Sequence, residues 1–591
     1  MTVAAIRSAH GAASRAIRST GPTRNAPLAV PRLRAPLLFG GLAVLFVTLL
    51  ARALYLQGID TKFLQEQGSA RYSRELPVPA HRGRIVDRAG EALALSTPVK
   101  SLWAFPSRFE ASPSQLRELA RILETTPQKV QATLDANGDF AFVARQIPPE
   151  TAYRAMALRI PGLHEQQEYR RFYPGGDVTA HIVGFTGDRD AGQEGIELAQ
   201  QTWLAGIPGS RRVLINRRNE AVEDVAAIRA PQAGRDLALS LDTRLQYLAF
   251  RELKAAVDAH KAKAGGLVIL DVKTGEILAL ANWPTYNPNR RDKVARDKMR
   301  NRALTDVFEP GSTLKPFTVA AALEAGRIRP DTVIQTAPGT LKIGAATIHD
   351  AHPNGALTVE QVLQKSSNVG AAKIALALPP DRLWRMFSEA GFGSPPKTGF
   401  PGEVAGRLRA AKSWRPIEQA TMAFGHGISL NLVQLARAYT IFATDGELKP
   451  ATLFKTQGPV AGLPVLTPKT AQAVRRMLEL ATLPGGTAPK AQVIGYRVAG
   501  KTGTAHKLEG RGYTNKYVSS FVGFAPASNP RLIVAVMIDE PSAGQHYGGV
   551  VAAPAFSNVV GSALRMLAVP TDAPVDNVIL PPDGALIREE T

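Results

Sequence analysis

The sequence predicts an α+β protein carried on a single membrane-spanning helix. Three observations lead there. An unbroken run of apolar and small residues, Leu37 to Ala51, follows an arginine-rich start that contains no acid. Strand-like patterns cluster in two separated places, 236–281 and 493–538, and the stretch between about Ser312 and Met477 is mostly helical. One antiparallel sheet whose strands come from both ends of a domain, with helices on both faces, accommodates all of this.

In chain order, Arg7, Arg15, Arg18, Arg24, Arg32 and Arg34 make residues 1–36 a basic tail. The apolar run resumes past Arg52 with Ala53-Leu54-Tyr55-Leu56, so 37–57 offers about 20 residues, enough to span a bilayer if Arg52 snorkels to the far interface. The arginines belong on the cytoplasmic side, which exports the remainder. A cleaved signal peptide, with Ala51-Arg52-Ala53 as the cleavage site, competes with this reading, and so does a buried core helix. The long basic segment ahead of the run, and Tyr55 as an interfacial anchor, favour an uncleaved span. No later segment reaches about 18 unbroken apolar residues, so a single pass is expected.

Residues 58–235 read as a mixed, irregular pedestal without a catalytic constellation. Arg82 to Gly90 looks like a strand ending in a turn, 112–135 and 194–204 look helical, and Val213 to Asn216 and the segment around Val222 look like strands. Residues 236–568 form the second domain. Asp236 to Leu241 is its first strand, and a helix runs from Arg244 to Val257. Gly266 to Val272 and Glu276 to Ala281 form a hairpin across Lys273-Thr274-Gly275. Val493 to Val498, Val518 to Phe524 and Leu532 to Ile538 supply three more strands. Residues 569–591, rich in Pro and Asp, read as a loose, flexible tail.

Composition narrows the class. The 591 residues contain no cysteine, which excludes disulfides, thiol catalysis and cysteine-bound metals. The net charge of +21 suggests an anionic neighbour: nucleic acid, a membrane surface or an acidic polymer. Neither zinc-finger spacing nor an aromatic-interleaved basic motif is present, which argues against nucleic acid. No cofactor or metal is expected.

The chemistry centres on Glu309-Pro310-Gly311-Ser312-Thr313-Leu314-Lys315-Pro316. Pro310-Gly311 signals a turn, and Pro316, which lacks an N–H, fits only the first helical turn. Ser312 is therefore expected near the positive end of a buried helix of about three turns, with Lys315 one turn along the same face. A hydroxyl beside an amine is a nucleophile beside its base, provided that burial and nearby cations lower the amine's pKa. Alone the spacing is weak: a chain of this length contains roughly two Ser-x-x-Lys by chance.

Two further motifs sharpen it. Ser366-Ser367-Asn368 follows a helical pattern, and Lys501-Thr502-Gly503-Thr504 follows the expected strand at 493–498. The ordered set Ser-x-x-Lys, Ser-x-Asn, Lys-Thr-Gly resembles a penicillin-recognising serine transpeptidase. Arg82-Gly83-Arg84-Ile85-Val86-Asp87-Arg88, Arg300-Asn301-Arg302, Phe424-Gly425-His426-Gly427 and Tyr547-Gly548-Gly549 extend the likeness, from the anchor to about residue 565, to class B penicillin-binding proteins of the cell-division (septal, FtsI-type) subclass.

The resemblance implies roles. Ser312 attacks the carbonyl of a D-Ala-D-Ala bond or a β-lactam, Lys315 takes its proton, and Ser366 relays that proton to the leaving amine. Asn368 holds Lys315 and the substrate amide. Lys501 and Thr502 meet the terminal carboxylate, Gly503 lets the substrate lie along the strand, and Ser367 belongs to the substrate-binding set. The Ser312 and Thr504 N–H groups form the oxyanion hole. The acyl-enzyme then passes to an amine on a second stem peptide. Implied partners are peptidoglycan stem peptides, β-lactam antibiotics, a membrane glycan polymerase and other divisome proteins. The implied location is the bacterial inner membrane at the septum, with the catalytic domain periplasmic and residues 58–235 a dimerisation-type pedestal.

The chain also carries decoy motifs. Lys-Thr-Gly recurs at 273–275 and 397–399, Ser394 to Lys397 is a second Ser-x-x-Lys, and Ser429-Leu430-Asn431 is a second Ser-x-Asn. Gly495 to Thr502 matches the phosphate-loop pattern of an ATPase, but the glycines after Thr502 leave no apolar helix behind it. An elongation-type transpeptidase, a β-lactam sensor and a non-catalytic scaffold would each carry much the same motifs, and they compete with the septal enzyme.

Overall fold

The computed structural model describes residues 34–59, 73–136, 140–187, 190–215, 221–291, 293–510, 512–580 and 582. Residues 1–33 of the basic tail, Asn216 and residues 583–591 lie outside this set. The chain forms two compact units, one of residues 1–76 with 211–227 and one of residues 77–210 with 228–591.

The first unit contains α1, Arg34–Leu54, whose apolar side chains are all exposed. It is long and apolar enough to cross a bilayer, and its last turn carries Arg52, whose guanidinium stands 5.4 Å from the Tyr55 ring centre. A three-stranded sheet is ordered Ser73–Val78, Gly209–Ile215, Ala221–Arg229.

The second unit begins with an irregular region built on β1, Ala92–Ala104, flanked by β2, Ala141–Ile147, and β3, Leu163–Phe172. The expected helix at 112–135 is two helices, Pro113–Ile122 and Pro127–Asp135. Pro127 cannot continue a helix but suits the first position of a new one, and Thr126 caps it by accepting from the Lys129 N–H. The expected helix at 194–204 likewise divides at Gln200. The expected strand at 236–241 shrinks to Leu237–Ala238, parallel to Ile85–Val86, because Asp242 is already the N-cap of α2, Thr243–Ala259.

The main sheet uses β4, Ala264–Asp271, and β5, Ile277–Trp283. The helical middle supplies α3, Lys315–Glu324, α4, Val359–Lys365, and α5, Asn368–Leu376. Three late strands complete the sheet: β6, Ala499–Glu509, β7, Gly512–Ala525, and β8, Leu532–Asp539. The helix α6, Ala553–Met566, follows. The strand order is β5-β4-β8-β7-β6, antiparallel throughout. Short hairpins at 333–358 and 447–464 interrupt the helical middle.

Period-two alternation gives this sheet two buried faces. On β8, Val534 and Val536 join a core with Leu245, Leu253 and Phe556 from α2 and α6, while Ile533 and Ala535 join the opposite core with Phe317 and Val319 from α3. Burying a Phe or Val side chain stabilises by about 1.5–3 kcal/mol, so both faces hold the register firmly.

Two expectations fail here. Val493–Val498 is a tight turn, with the Tyr496 N–H donating to the Val493 oxygen and Gly495 at φ +80°. Tyr496 and Val498 are buried by that turn rather than by a ladder, and Lys501 lies inside a strand instead of after one. The tail is also not loose through residue 580. Asp572 accepts from the Arg497 N–H (2.7 Å), Asn577 Nδ2 donates to the Val493 and Tyr496 oxygens (both 3.1 Å), and Gln492 exchanges bonds with Ile579. Polar Asp and Asn, which suggested solvent, are used to satisfy backbone groups of the 492–497 turn.

Candidate active site

Ser312 and Lys315 are brought together by a local device. Gly311 takes φ +55°, a conformation that suits glycine, and Gly311–Leu314 forms one 3-10 turn that runs into α3. Ser312 thus precedes the helix proper by one short turn, and Pro316 occupies the helix's first turn as expected. Thr313 Oγ1 donates to the Pro310 oxygen, and the buried Tyr439 hydroxyl donates to the Thr313 oxygen, both at 2.8 Å. Phe317 locks the helix against Phe392, Tyr439 and Phe442, with ring centres 4.7–5.7 Å apart.

Ser312 Oγ and Lys315 Nζ lie 2.8 Å apart, and the Lys315 side chain is fully buried. Lys315 also donates to Ser366, through the backbone oxygen and through Oγ at 3.0 Å. Lys501, equally buried, donates to the same Ser366 Oγ at 2.9 Å. One hydroxyl therefore sits between two lysine ammonium positions. Neighbouring cations and the loss of water both favour a neutral amine, the form that accepts a proton.

Ser366 holds this place in a left-handed conformation, φ 64°, at the end of α4. Such a non-glycine residue costs about 1–3 kcal/mol and persists only where its surroundings enforce it. The enforcement comes from α5. Ser367 is its N-cap, accepting from the Gly370 N–H (2.8 Å) and donating to Asp350 (2.6 Å). Asp350 also accepts from the Val369 N–H at 2.8 Å. The Ser367 hydroxyl, expected to bind substrate, is thus engaged as a helix cap and is fully buried. Asn368 Nδ2 donates to the His349 oxygen at 3.2 Å.

The third motif lies on β6, the edge strand, in register with β7: Lys501 opposite Val522, Gly503 opposite Ser520 and Thr504 opposite Ser519. Its neighbour is the Ser312 turn. A Cβ on Gly503 would stand 2.7 Å from the Pro310 oxygen, and one on Gly311 would stand 3.1 Å from the Thr504 oxygen, so two backbones touch where only glycine fits. Thr502 Oγ1 lies 3.0 Å from Thr487 Oγ1, and Thr504 Oγ1 accepts from the Gly548 N–H at 3.0 Å. His426 lies alongside. Loss of hydration on burial is the chief cause that holds its imidazole down to about 4. Glu309, which accepts from the Gly427 N–H and the Tyr513 hydroxyl, has its carboxyl raised by loss of hydration.

Ser312, Lys315, Ser366 and Lys501 are therefore joined in one hydrogen-bonded chain, Thr502 adjoins Lys501 at 3.3 Å, and Gly503 and Thr504 adjoin the Ser312 turn. The decoys lie elsewhere. Asp271 caps the hairpin at Lys273 and Thr274, Lys397 takes φ +59° in a loop, and Asn431 caps the helix Leu432–Ala438. Lys501 continues into a strand rather than a helix, so no phosphate loop exists there. Asp350, Thr487 and Tyr439 carry no motif spacing, and the sequence gives no signal for them.

Comparison with known proteins accords with this geometry. A family model described as the penicillin binding protein transpeptidase domain matches residues 265–561, and one described as the penicillin-binding protein dimerisation domain matches residues 77–239. The chain is 44% identical over 540 residues to the probable peptidoglycan D,D-transpeptidase PenA of Neisseria gonorrhoeae, covering 90% of this chain and 93% of that protein. It is 41% identical over 549 residues to the peptidoglycan D,D-transpeptidase FtsI of Escherichia coli K12, covering 91% and 93%. Among solved structures, the transpeptidase domain of Burkholderia pseudomallei penicillin-binding protein 3 aligns with a TM-score of 0.53 at 52% identity, covering 57% of this chain and 98% of that one.

Proposed function

The chain belongs to the penicillin-binding protein transpeptidases, as a class B peptidoglycan D,D-transpeptidase, and from that premise we propose that it cross-links stem peptides at the division septum through a Ser312 acyl-enzyme. The reading rests on one observation above the others: Ser312 Oγ and Lys315 Nζ are 2.8 Å apart, with Ser366 Oγ bridging Lys315 and Lys501.

Neutral Lys315 accepts the Ser312 hydroxyl proton as Oγ attacks the penultimate D-Ala carbonyl. The Ser312 and Thr504 N–H groups face the developing oxyanion. Collapse breaks the peptide bond, and the proton passes from Lys315 through Ser366 to the departing D-Ala amine. Lys501 and Thr502 hold the terminal carboxylate, and Asn368 holds the substrate amide. Gly503 allows the donor peptide to add to the open edge of β6. An acceptor amine then attacks the ester, gives its proton back through Lys315, and leaves a new peptide bond with Ser312 free. A β-lactam follows the first half and stops at the ester.

The basic residues ahead of α1 orient the N-terminus to the cytoplasm and the second unit to the periplasm. Residues 58–235 serve as the pedestal and 236–568 as the catalytic domain. A membrane glycan polymerase and other divisome proteins are the proposed partners. The septal assignment is supported by the likeness to a protein named FtsI. Incubating the purified protein with a D-Ala-D-Ala stem peptide and an amine acceptor should release D-Ala and form the cross-linked peptide, and Ser312→Ala should do neither. Depleting the protein should give filaments with a septal label lost. Rounded cells would assign it to elongation instead.

A further inference from the structure

A cleft of about 310 Å³ lies outside the Ser312 site and shares no residue with it. One wall is β2 and β3 with Arg145, Tyr169, Arg170 and Arg171, and the other is the loop after β5 with Asn289 and Arg291. Its walls are tied together. Asn289 exchanges two hydrogen bonds with the Tyr173 backbone (2.9 and 3.1 Å), and Arg291 donates to the Thr186 oxygen at 3.0 Å while packing on Phe185 at 3.9 Å.

Two atoms on its lining residues are buried without a hydrogen-bond partner among the described residues: Arg171 Nη2 and Asp190 Oδ1. The rest of the Arg171 guanidinium is committed, Nε to Glu197 at 2.7 Å and Nη1 to Ser96 Oγ at 3.1 Å, and its side chain is only 1% exposed. Leaving such a group unpaired is costly, and a ligand carrying both an acceptor and a donor would recover that cost. A second cleft of about 500 Å³ adjoins the first, sharing Arg145, Tyr169 and Asp190 and adding the apolar Pro79, Ala80, Ala205 and Pro208. Together they make a groove with an arginine-rich end and a mixed end, where Glu168 is paired with Arg145 at 3.2 Å and small apolar residues alternate with polar ones, in the size range of ligand sites.

We propose that this groove is a second, non-catalytic site for a carboxylate-bearing stem peptide of the peptidoglycan substrate. Arg171 and the exposed Arg170 take the carboxylate, Asp190 accepts a peptide N–H, and the mixed end receives small aliphatic residues. A peptide supplies a carbonyl or carboxylate and an N–H within one residue, the combination that the two unpaired atoms require. The ligand identity rests on the transpeptidase reading, and the site itself does not. The surplus of basic residues, +21 over the chain, suits an acidic polymer.

The test uses the full chain in detergent, with Ser312 first blocked by penicillin so that only a second site can bind. A soluble disaccharide-tetrapeptide, which lacks the D-Ala-D-Ala bond, is titrated calorimetrically, followed by its fully amidated analogue. Saturable binding to the blocked protein is expected, at least tenfold weaker for the amidated ligand and for Arg170→Glu. Arg170→Gln provides a milder variant should the charge reversal disturb folding, and Arg329→Ala, an exposed basic residue elsewhere, should bind as the parent does. No binding to the blocked protein, equal affinity for the amidated ligand, or undiminished binding by both Arg170 variants at unchanged melting temperature overturns the site. Tighter binding of an acidic protein peptide overturns the ligand class. If penicillin fails to block the chain, the catalytic reading fails on its own, and the same titration on Ser312→Ala decides the groove.

Discussion

Three lysines stand in Lys-Thr-Gly triplets, and the fold treats one differently. Lys273 and Lys397 are exposed, whereas Lys501 is fully buried with its ammonium on Ser366. Losing a charge-assisted hydrogen bond costs roughly 1.5–3 kcal/mol, about one to two decades in rate. Lys501→Ala should slow acylation by a β-lactam more than tenfold, while Lys273→Ala and Lys397→Ala stay within a few-fold; stopped-flow rates on all three decide it. A second residue sets a pH limit. His181 is buried, its Nε2 lies 2.8 Å from the Lys298 oxygen, and burial holds its imidazole down to about 4. The unfolded chain binds this proton near pH 6.5 and the folded one does not, so stability falls as pH drops from about 6.5 towards 4, by up to about 3 kcal/mol. Melting curves at pH 7 and 4.5 should converge when His181→Asn is compared with the parent; an unchanged slope would assign the loss to other groups. The pairing of Ser312 with Lys315 was legible in the sequence because one helical turn fixes a three-residue spacing. Asp350 and Thr487 were not, because each reaches its partner through a loop whose path no spacing records.

Among the elements, patterns with one strong period were read well and those decided by single backbone groups were not. The hairpin at 264–283 and the strand segments 518–524 and 532–538 follow apolar runs, whereas the polar start of β7, residues 512–517, gave no such signal. The 493–498 segment is apolar too, yet Gly495 and bonds from Asn577 turn it back on itself. That turn leads directly into β6. Truncation after Val569 should remove several hydrogen bonds of about 1 kcal/mol each, lower the melting temperature and slow acylation several-fold. Acylation and melting unchanged by the truncation would show that β6 does not depend on the tail. The contact of β6 with the Ser312 turn gives a sharper test. A methyl on Gly503 would stand 2.5 Å from Ser520 Oγ and 2.7 Å from the Pro310 oxygen. Overpacking of this kind costs about 1–3 kcal/mol, and here it pushes β6 off the Ser312 turn. Gly503→Ala should therefore lose at least tenfold in acylation rate, with a smaller effect on melting than on rate.

At the scale of the molecule, one five-stranded sheet with a core on each face brings residues 312, 366 and 501 to one place, although nearly 200 positions separate the first from the last. Its class was legible from where strand patterns cluster, but the irregular 77–210 region was less so, since short proline-capped helices leave little periodicity. The long apolar helix Arg34–Leu54 was legible from the length of its apolar run. The absence of native cysteine makes its orientation measurable. A membrane-impermeant maleimide should label Val575→Cys, 78% exposed, in intact spheroplasts and leave Ser8→Cys untouched until the membrane is opened. The reverse pattern would invert the topology. The central claim is that Ser312 is the nucleophile of an acyl-transfer site, and intact-mass measurement after adding a penicillin, followed by peptide mapping, tests it most directly. The prediction is one long-lived adduct on the peptide containing Ser312, and none on folded Ser312→Ala. An adduct on Ser394, or a drug hydrolysed rapidly with no ester retained, would contradict it.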